Sequence, residues 1–313
     1  MGWAAMQKLD DLLLFAEVVE HAGFSAAARN LGLQRSKLSR HISELENRIG
    51  VRLLHRNTRN VVLTPAGEEV YIHAKALKQA AQNAFAVATD LAGDPKGTLR
   101  VGCSSTFAQE ALLPILDSFL RQYPKIRLII NTSDHNIDLI SAQVDLVFRI
   151  SSKLLNDSSL IIRPVCDLPM VLVASQNYMR DKEKIESPEQ LKQLNFIALS
   201  VQMNLISQIF TSQNNDLNTV LLEPYISCGN MSVLKSAVQQ GMGVAVLPWY
   251  LCANELESGQ FVNVFKADSA WSPQASLVNA LIPTRENILL ATKLFLDFSI
   301  PRLRHKLNPA LSN

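Results

Sequence analysis

The sequence predicts an α+β multidomain chain: a small helical head, then a long helix, then a larger two-lobed α/β body. Three observations lead to this prediction. Two short helices joined by a glycine turn fill residues 24–49, a heptad pattern runs through residues 70–91, and strands alternate with helices after residue 96. A chain of 313 residues is also long for a single hydrophobic core.

Charge is unevenly distributed along the chain. Residues 1–62 hold nine basic and six acidic residues, a net charge of +3, while the whole chain carries +2. The remainder is therefore slightly acidic, at −1. A basic head on a near-neutral body fits a nucleic-acid-binding module joined to a domain that binds something else.

The head is organised around two helices. Ser25 is expected to cap the first, and Gly32 supplies the left-handed turn that ends it. The second helix has one apolar stripe, formed by Leu38, Ile42, Leu45 and Ile49. Its opposite face is basic and rich in hydroxyls. This pattern indicates a helix-turn-helix whose second helix enters a DNA major groove, the alternative being a helical hairpin with a solvated basic face.

Further elements are expected on either side of this motif. A first helix should pack behind it through one apolar face, formed by Leu9, Leu12, Leu13, Ala16 and Val19. After the second helix, the apolar anchors are Val51, Leu53 and Leu54. They lead through a turn to a strand at residues 61–63. Arg56 and Arg59 at the tip of this wing suit contacts with phosphates and the minor groove, although an ordinary basic hairpin would look similar.

A long helix is expected to follow the head. Thr64 and Pro65 are typical of a helix start, and residues 93–95 are typical of a stop. A heptad seam rich in small residues is formed by Val70, Ala74, Leu77, Ala81, Ala84, Ala88 and Leu91. The seam predicts dimerisation, which would let two heads read two half-sites; a lone surface helix with a narrow apolar stripe is the alternative.

The body begins with alternating strands and helices. The predicted order is strand 98–103, helix 108–122, strand 127–131, a short helix near 137–142, strand 144–148, and strands 160–165 and 170–174. The strand–helix–strand pattern recurs in a second lobe, with strand 224–228, helix 233–240 and strand 244–247. The chain then returns to the first lobe through strand 276–281 and helix 286–298. This alternation indicates a mostly parallel sheet in each of two lobes, which resembles a periplasmic-binding-protein fold with its ligand in the cleft.

Ligands of such sheets sit beyond the carboxyl ends of the strands. The candidate effector-binding residues at these ends are Ser104, Ser105, Thr106, Thr132, Ser133, Arg149 and Asn230. Hydroxyl groups at a helix start suit a small organic anion. Helix capping by the hydroxyls, and an ion pair for Arg149, are the alternatives.

The head resembles the N-terminal domain of LysR-type transcriptional regulators. The resemblance is carried by Leu12–Val19, Phe24-Ser25-x-Ala27-Ala28-x-x-Leu31, Leu38-Ser39-Arg40-x-Ile42-x-x-Leu45-Glu46, Gly50-x-x-Leu53-Leu54-x-Arg56 and Leu63-Thr64-x-x-Gly67. It implies a winged helix-turn-helix, a long linker helix that forms dimers and commonly tetramers, and a two-lobed effector domain. The body resembles the family more loosely than the head.

The resemblance also implies which residues contact DNA. Ser36, Ser39 and Arg40 match the family's recognition-helix contacts, and Arg56 and Arg59 match its wing. Arg35 and Lys37 depart from the usual residues but extend the same basic face. Because arginine at a helix N-terminus can pair with guanine, the operator's inner bases are expected to differ from the family norm.

Other classes of protein find less support. The segment Ser232-x-x-Lys235 matches a short motif of acyl-serine enzymes without its companion motifs, and the six histidines have no metal-binding spacing. No cofactor is expected. A redox-sensing pair of Cys103 and Cys228 remains an alternative to two small buried residues, and scattered cysteines fit a reducing cytoplasm. No apolar run reaches the roughly 18 residues of a membrane-spanning helix.

The expected partners are therefore double-stranded DNA with an interrupted palindromic operator, a small-molecule effector, further copies of the chain and, for an activator, RNA polymerase. The predicted domains are a winged head at 1–63, a linker helix at 64–95, an effector domain at 96–302 and a tail at 303–313. Within the effector domain, the first lobe comprises 96–167 and 273–302, and the second comprises 168–272. Met6 is a candidate for the original start.

Overall fold

The computed structural model describes residues 9–55, 61–90, 95–134, 144–152, 160–283 and 289–309. The side chains of residues 79 and 82–90 lie outside this description. The chain divides into two compact units, residues 1–93 and 94–313. The predicted wing tip, the end of the heptad seam and the short helix near residue 140 fall outside the described residues.

The described residues of the first unit form four helices. They are α1 (Asp10–Glu20), α2 (Phe24–Leu31), α3 (Arg35–Ile49) and α4 (Pro65–Asp90). Phe15, Leu38 and Leu53 are completely buried in the core that these helices share. An antiparallel bridge joins Leu54 to Leu63 and forms the base of the wing.

The turns around α2 correct one detail of the sequence analysis. Gly32 adopts the predicted left-handed conformation, with φ +64°. Helix α2, however, begins at Phe24, with Gly23 as its N-cap and without a side-chain cap. Ser25 therefore lies inside the first turn, so its predicted capping role was wrong.

The buried face of α1 agrees with the prediction in part. Ala16 is completely buried, and Leu12 and Val19 pack partly against the core, as predicted. Asp11, Phe15 and Val18 are buried as well, whereas Leu9 is 46% exposed. The buried face therefore includes a carboxylate near the helix start, which the apolar pattern alone did not indicate. Ile49 and Val51 are likewise exposed, since the chain turns away at Gly50, which has φ +78°.

Helix α4 begins as predicted. The Thr64 hydroxyl accepts a hydrogen bond from the Gly67 N–H at 3.0 Å, and Pro65 is the first helical residue. A Cβ at Gly67 would lie 2.0 Å from the Leu53 carbonyl oxygen, so this close approach requires glycine. Lys78 forms ion pairs with Glu17 at 2.5 Å and Glu20 at 2.6 Å, which tie α4 to α1.

The second unit contains thirteen strands and six helices in its described residues. The strands are β1 (Gly97–Cys103), β2 (Ile126–Thr132), β3 (Leu146–Ser151), β4 (Leu160–Leu168), β5 (Met170–Ser175), β6 (Ile197–Leu199), β7 (Ile206–Ser212), β8 (Leu217–Leu222), β9 (Ile226–Cys228), β10 (Val244–Pro248), β11 (Phe261–Asn263), β12 (Trp271–Pro273) and β13 (Ser276–Pro283). The helices are α5 (Ser105–Phe107), α6 (Leu113–Gln122), α7 (Gln176–Met179), α8 (Met231–Gln239), α9 (Trp249–Glu257) and α10 (Leu290–Leu307). A π-helical turn (Ala108–Leu112) joins α5 to α6, and Pro188–Gln193 forms a 3₁₀ helix.

The first lobe is built on a five-stranded sheet with the order β2-β1-β3-β13-β4. Strand β1 runs parallel to β2 and β3, and β13 runs antiparallel to β3 and β4. Four strands therefore share one direction and β13 opposes them, because β13 brings the chain back from the second lobe.

The second lobe repeats this arrangement. Strands β6 and β9 are parallel, a parallel bridge between Phe196 and Val244 places β10 beside β6, and β5 pairs antiparallel with β10 and β11. The resulting order β9-β6-β10-β5-β11 has the same directions as the first sheet. A separate antiparallel sheet, β12-β7-β8, was not predicted, and neither was α9.

The last helix differs from the predicted boundary. Helix α10 continues to Leu307, with Pro301 inside it. Leu303 and Leu307 are completely buried in the core of the first lobe, so residues 303–307 belong to this core and not to the predicted tail. Tyr250 at the start of α9 packs against the cores of both lobes.

Candidate functional site

The exposed face of α3 carries the residues predicted to bind DNA. Arg35, Ser36, Lys37, Ser39 and Arg40 are all exposed. Leu38, Ile42 and Leu45 are buried on the opposite side. The helix therefore offers a basic, hydroxyl-rich surface while its apolar stripe anchors it to the head.

A buried carboxylate holds α3 against α1. The side chain of Asp11 is only 1% exposed. One of its oxygens lies 2.7 Å from His41 Nδ1, and the other accepts a hydrogen bond from Arg48 Nη2 at 2.7 Å. This cluster was not predicted, because nothing in the sequence pairs an acid in α1 with two bases thirty or more residues away.

A second buried carboxylate fixes the base of the wing. Glu46 Oε1 accepts hydrogen bonds from the backbone N–H groups of Leu53 at 2.8 Å and Leu54 at 3.0 Å. Its other oxygen accepts a hydrogen bond from Arg52 Nη1 at 3.1 Å. The residues predicted for the wing tip, Arg56 and Arg59, lie outside the described residues.

A groove of about 620 Å³ runs between α2, α3 and the base of the wing. Arg29, Arg35 and Arg52 line it together with Ser39 and Ser43. Arg40 lies outside the groove and forms an exposed ion pair with Glu44 at 2.9 Å, an arrangement that contributes little stability and leaves the guanidinium accessible. Ser25 and the carboxylate of Glu46, which pairs with Arg52, line the groove as well. Three arginines and three hydroxyls therefore line a concave surface suited to a phosphate backbone.

The residues of the predicted dimerisation seam on α4 lie in different environments. Ala74 is completely buried in the core of the head and Val70 packs partly against it, so the start of the seam contacts the chain's own helices. Leu77 and Ala81 are half-buried. The side chains of Ala84 and Ala88, and all of Leu91, lie outside the described residues. Ala74 is therefore removed from the predicted seam, because a second copy cannot reach it.

The body contains a cleft of about 350 Å³ between its two lobes. Four predicted effector residues line it: Ser104, Thr106, Ser133 and Arg149. Three others do not line it: Ser105, Thr132 and Asn230. Thr132 is exposed at the end of β2, so its prediction as a cleft residue was wrong.

A carboxylate already occupies the donors that were predicted to hold an anion. Asp134 accepts hydrogen bonds from the Ser105 N–H at 3.1 Å and from Asn230 Nδ2 at 2.6 Å. Asn230 Oδ1 in turn caps α8, accepting the Ser232 N–H at 2.8 Å. Ser104 likewise caps α5 by accepting the Phe107 N–H at 3.3 Å. Capping, the alternative considered for these polar groups, is therefore present at both helix starts.

Hydrogen bonds link the two lobes across the cleft. Besides the bond from Asn230 to Asp134, the hydroxyls of Thr106 and Ser232 lie 2.8 Å apart. Thr106 is only 3% exposed. In the Ser232-x-x-Lys235 motif, Lys235 forms an ion pair with Glu255 at 2.7 Å. The two motif residues therefore have different partners, Glu255 for Lys235 and Thr106 for Ser232.

Several cleft residues were not predicted. They include Asp134, Met170, Leu199, Met231, Tyr250 and Ser276. Asp134 could have been predicted from the sequence, because it directly follows the candidate Ser133 beyond the end of a strand. Most of the others come from the second lobe, whose position over the first cannot be read from local sequence. Burial raises the pKa of Tyr250, with nearby Glu110 adding to the effect, so its hydroxyl stays protonated near neutral pH.

The cysteines are buried or half-buried thiols. Burial, with the Asp134 charge adding to it, raises the pKa of Cys103 to about 12. Burial also raises the pKa of Cys228. Since the thiolate is the reactive form, these environments oppose oxidation and favour small buried side chains over a redox pair.

Within the described ranges, no group of histidine, cysteine, aspartate and glutamate side chains could hold a metal ion. No helix in the same part of the chain is long and apolar enough to span a membrane.

Comparison with known families matches nearly the whole chain. Residues 9–68 match the bacterial regulatory helix-turn-helix protein of the lysR family. Residues 92–304 match the LysR substrate binding domain. The two matches coincide with the helical head and the two-lobed body.

Individual proteins with similar sequences are also transcriptional regulators. An HTH-type transcriptional regulator from Xanthomonas campestris is 29% identical over 94% of this chain and 85% of its own length. The HTH-type transcriptional activator AaeR from Escherichia coli is 30% identical over 82% of both chains.

Two solved structures share the architecture. The Vibrio cholerae virulence activator AphB has a TM-score of 0.59 at 26% identity, covering 94% of this chain and 99% of its own. CrgA from Neisseria meningitidis has a TM-score of 0.59 at 27% identity, covering 94% and 98%. The winged helix-turn-helix, the long helix and the two-lobed, periplasmic-binding-protein-like body thus occur together in solved regulators. The chain belongs to the LysR family of DNA-binding transcriptional regulators, in which an effector-binding body modulates the helix-turn-helix head.

Proposed function

We propose that the protein binds an interrupted palindromic operator as a dimer or tetramer, reading each half-site with α3. The observation that carries this proposal is the exposed basic face of α3 beside the arginine-lined groove. In a major groove, Arg35 would reach base edges while Arg29 and Arg52 neutralise phosphates. Ser36, Lys37, Ser39 and Arg40 complete the proposed contact surface, with Arg56 and Arg59 expected at the wing tip.

Selection of bound sequences from a random DNA pool by the full-length protein tests this proposal. We expect enrichment of an interrupted inverted repeat whose half-sites lie whole helical turns apart. Arg35→Ala should relax the preference at one base pair of each half-site and cost about 1–3 kcal/mol there. Arg121→Ala, which removes an exposed arginine from the body, serves as the matched control. A pool without any enriched sequence would contradict the proposal.

We further infer that the effector is a small organic anion bound in the interlobe cleft. Arg149 provides the positive charge in the cleft wall, and the hydroxyls of Ser104, Thr106 and Ser133 provide hydrogen-bonding groups. An anion that binds one relative position of the lobes better than another shifts the population of the two states. The shift would alter the spacing of paired heads on DNA in the cytoplasm and, for an activator, contact with RNA polymerase.

Thermal-shift measurements with a panel of small carboxylic acids on the full-length protein test the effector proposal. Arg149→Gln should weaken binding of an active acid by about 10- to 150-fold, the loss expected for one charge-assisted hydrogen bond. Arg127→Gln, at an exposed position of β2 at the edge of the same sheet, should leave binding unchanged. Equal binding by both variants would place the anion elsewhere.

A further inference from the structure

We propose that β8, an edge strand of the second lobe, pairs with β8 of a second copy of the chain across a two-fold axis. The inference rests on the proposed oligomerisation and deepens it, because it names a contact surface outside α4. A second copy fits this edge because the exposed side of β8 matches itself in hydrogen bonding, shape and charge.

Strand β8 lies at the end of the β12-β7-β8 sheet, so one side of its backbone has no neighbouring strand in the described part of the chain. Edge strands are normally protected by a lysine, a proline or a bulge. The sequence of β8, Leu-Asn-Thr-Val-Leu-Leu, contains no charge and no proline, and its register with β7 is regular. The strand is therefore open to pairing with another strand.

The backbone groups on the free side belong to every second residue of β8. The Ser212 N–H donates to the Asp216 carbonyl at 2.9 Å and marks the hydrogen-bonded pair that closes the β7–β8 hairpin. Because such pairs alternate along an antiparallel ladder, the even-numbered residues of β8 bond to β7. The odd-numbered residues Leu217, Thr219 and Leu221 therefore direct their N–H and C=O groups away from β7.

The side chains of the same three residues form an exposed, largely apolar face. Leu217 is 63% exposed, Leu221 is 55% exposed, and Thr219 between them is exposed as well. Val220 and Leu222 point to the opposite face and are buried in a core of the second lobe. Apolar side chains beside unpaired backbone groups indicate an interaction surface.

This face is self-complementary about Thr219. In an antiparallel pair centred on that residue, Thr219 faces the partner's Thr219 and Leu217 faces the partner's Leu221. Each facing pair then consists of two odd-numbered residues, so the outward N–H and C=O groups of both copies meet each other. Two-fold symmetry requires a surface that matches itself in this way.

Charge and shape at the carboxyl end of β8 favour the same register. A groove of about 290 Å³ at this end is lined by several leucines, Lys192 and Glu223. The pairing brings the partner's Leu217 to the apolar part of the groove and the partner's Asp216 towards Lys192. Glu223 faces the partner's Asn215, so the acidic residues at the strand ends do not face each other.

The contact is too small to hold two copies together by itself. Strand β8 has six residues, whereas stable interfaces bury about 1,200–2,000 Å². A contact elsewhere raises the effective concentration of the two strands, so β8 pairs once α4 holds the copies together.

Cysteine cross-linking of the full-length protein tests this register. Facing residues of a hydrogen-bonded pair have Cα atoms about 5.5 Å apart, a distance that a disulfide spans. Thr219→Cys should therefore cross-link pairs of chains under mild oxidation. Leu217→Cys is the matched control on the same face, since the two copies of residue 217 would lie about 14 Å apart. The parent protein, whose cysteines are buried or half-buried, gives the background.

Hydrogen exchange gives a second measurement that needs no substitution. The outward amides of Leu217, Thr219 and Leu221 should exchange at least about tenfold more slowly in the oligomer than in protein diluted to monomers. Thr219→Pro removes one of these N–H groups without breaking a bond to β7, and it should abolish the protection of the other two.

Cross-linking of Thr219→Cys without cross-linking of Leu217→Cys, together with protection that Thr219→Pro removes, supports the contact. Equal cross-linking of the two cysteine variants overturns the two-fold register. Protection without cross-linking shows that something else covers β8 and overturns self-pairing. An oligomer that shows neither overturns the inference and leaves the seam on α4 intact, whereas a parent protein that stays monomeric counts against both.

Discussion

Replacing Asp11 with alanine should destabilise the head, because it removes the carboxylate that pairs α1 with two bases on α3. The side chain of Asp11 is 1% exposed, and the substitution leaves Arg48 and His41, which are 28% and 31% exposed, without their carboxylate. Breaking a fully buried ion pair costs about 3–5 kcal/mol. Because water can partly reach both bases, we expect about 2–3 kcal/mol for Asp11→Ala.

The matched control is Asp10→Ala, because Asp10 occupies the same first turn of α1 but is exposed. Both substitutions lose the favourable interaction with the helix dipole, about 0.3–1 kcal/mol, so the difference between them isolates the buried cluster. Hydrogen exchange of the full-length protein, followed by mass spectrometry, reports opening of the head separately from the body. Exchange in α1 and α3 should become about 30- to 150-fold faster in Asp11→Ala, and equal rates in the two variants would refute the reasoning.

Three further predictions concern the wing, the long helix and the thiols. Glu46→Ala leaves two buried backbone N–H groups without their acceptor and should lower stability by about 2–4 kcal/mol in urea titrations, whereas Glu46→Gln, which keeps an acceptor, should lose less. Leu77→Glu should convert the oligomer to monomers in sedimentation velocity; an unchanged profile would rule out a seam at this position. Because burial raises the pKa of Cys103 to about 12, this thiol stays protonated up to strongly alkaline pH. Peroxide at pH 7 should therefore leave operator binding unchanged, and Cys103→Ser and Cys228→Ser should respond as the parent does.

The sequence predicted the elements that local patterning controls. The glycine turn at Gly32, the buried positions Leu38, Ile42 and Leu45, and the start of α4 at Thr64 and Pro65 all follow from spacing and from the special geometry of single residues. The strands of the first lobe were predicted for the same reason, since short apolar runs between turn residues are typical of buried strands.

The predictions were wrong where a distant partner decides the environment. Ala74 has the spacing of an interface residue, yet it is buried in the core of the head. The apolar pattern located only part of the buried face of α1, because one buried position carries Asp11, whose partners on α3 make burial of a carboxylate acceptable.

The sequence by itself predicted a helical head, a long helix and an α/β body, because helix and strand periodicity act over a few residues, and its resemblance to the LysR-type regulators identified the head as DNA-binding. Only the tertiary structure decided which residues line the interlobe cleft. Asp134, Met170 and Tyr250 line the cleft because two sheets, assembled from separate stretches of the chain, bring them together. Contacts of this kind depend on how the elements pack, and local periodicity carries no information about packing between distant segments.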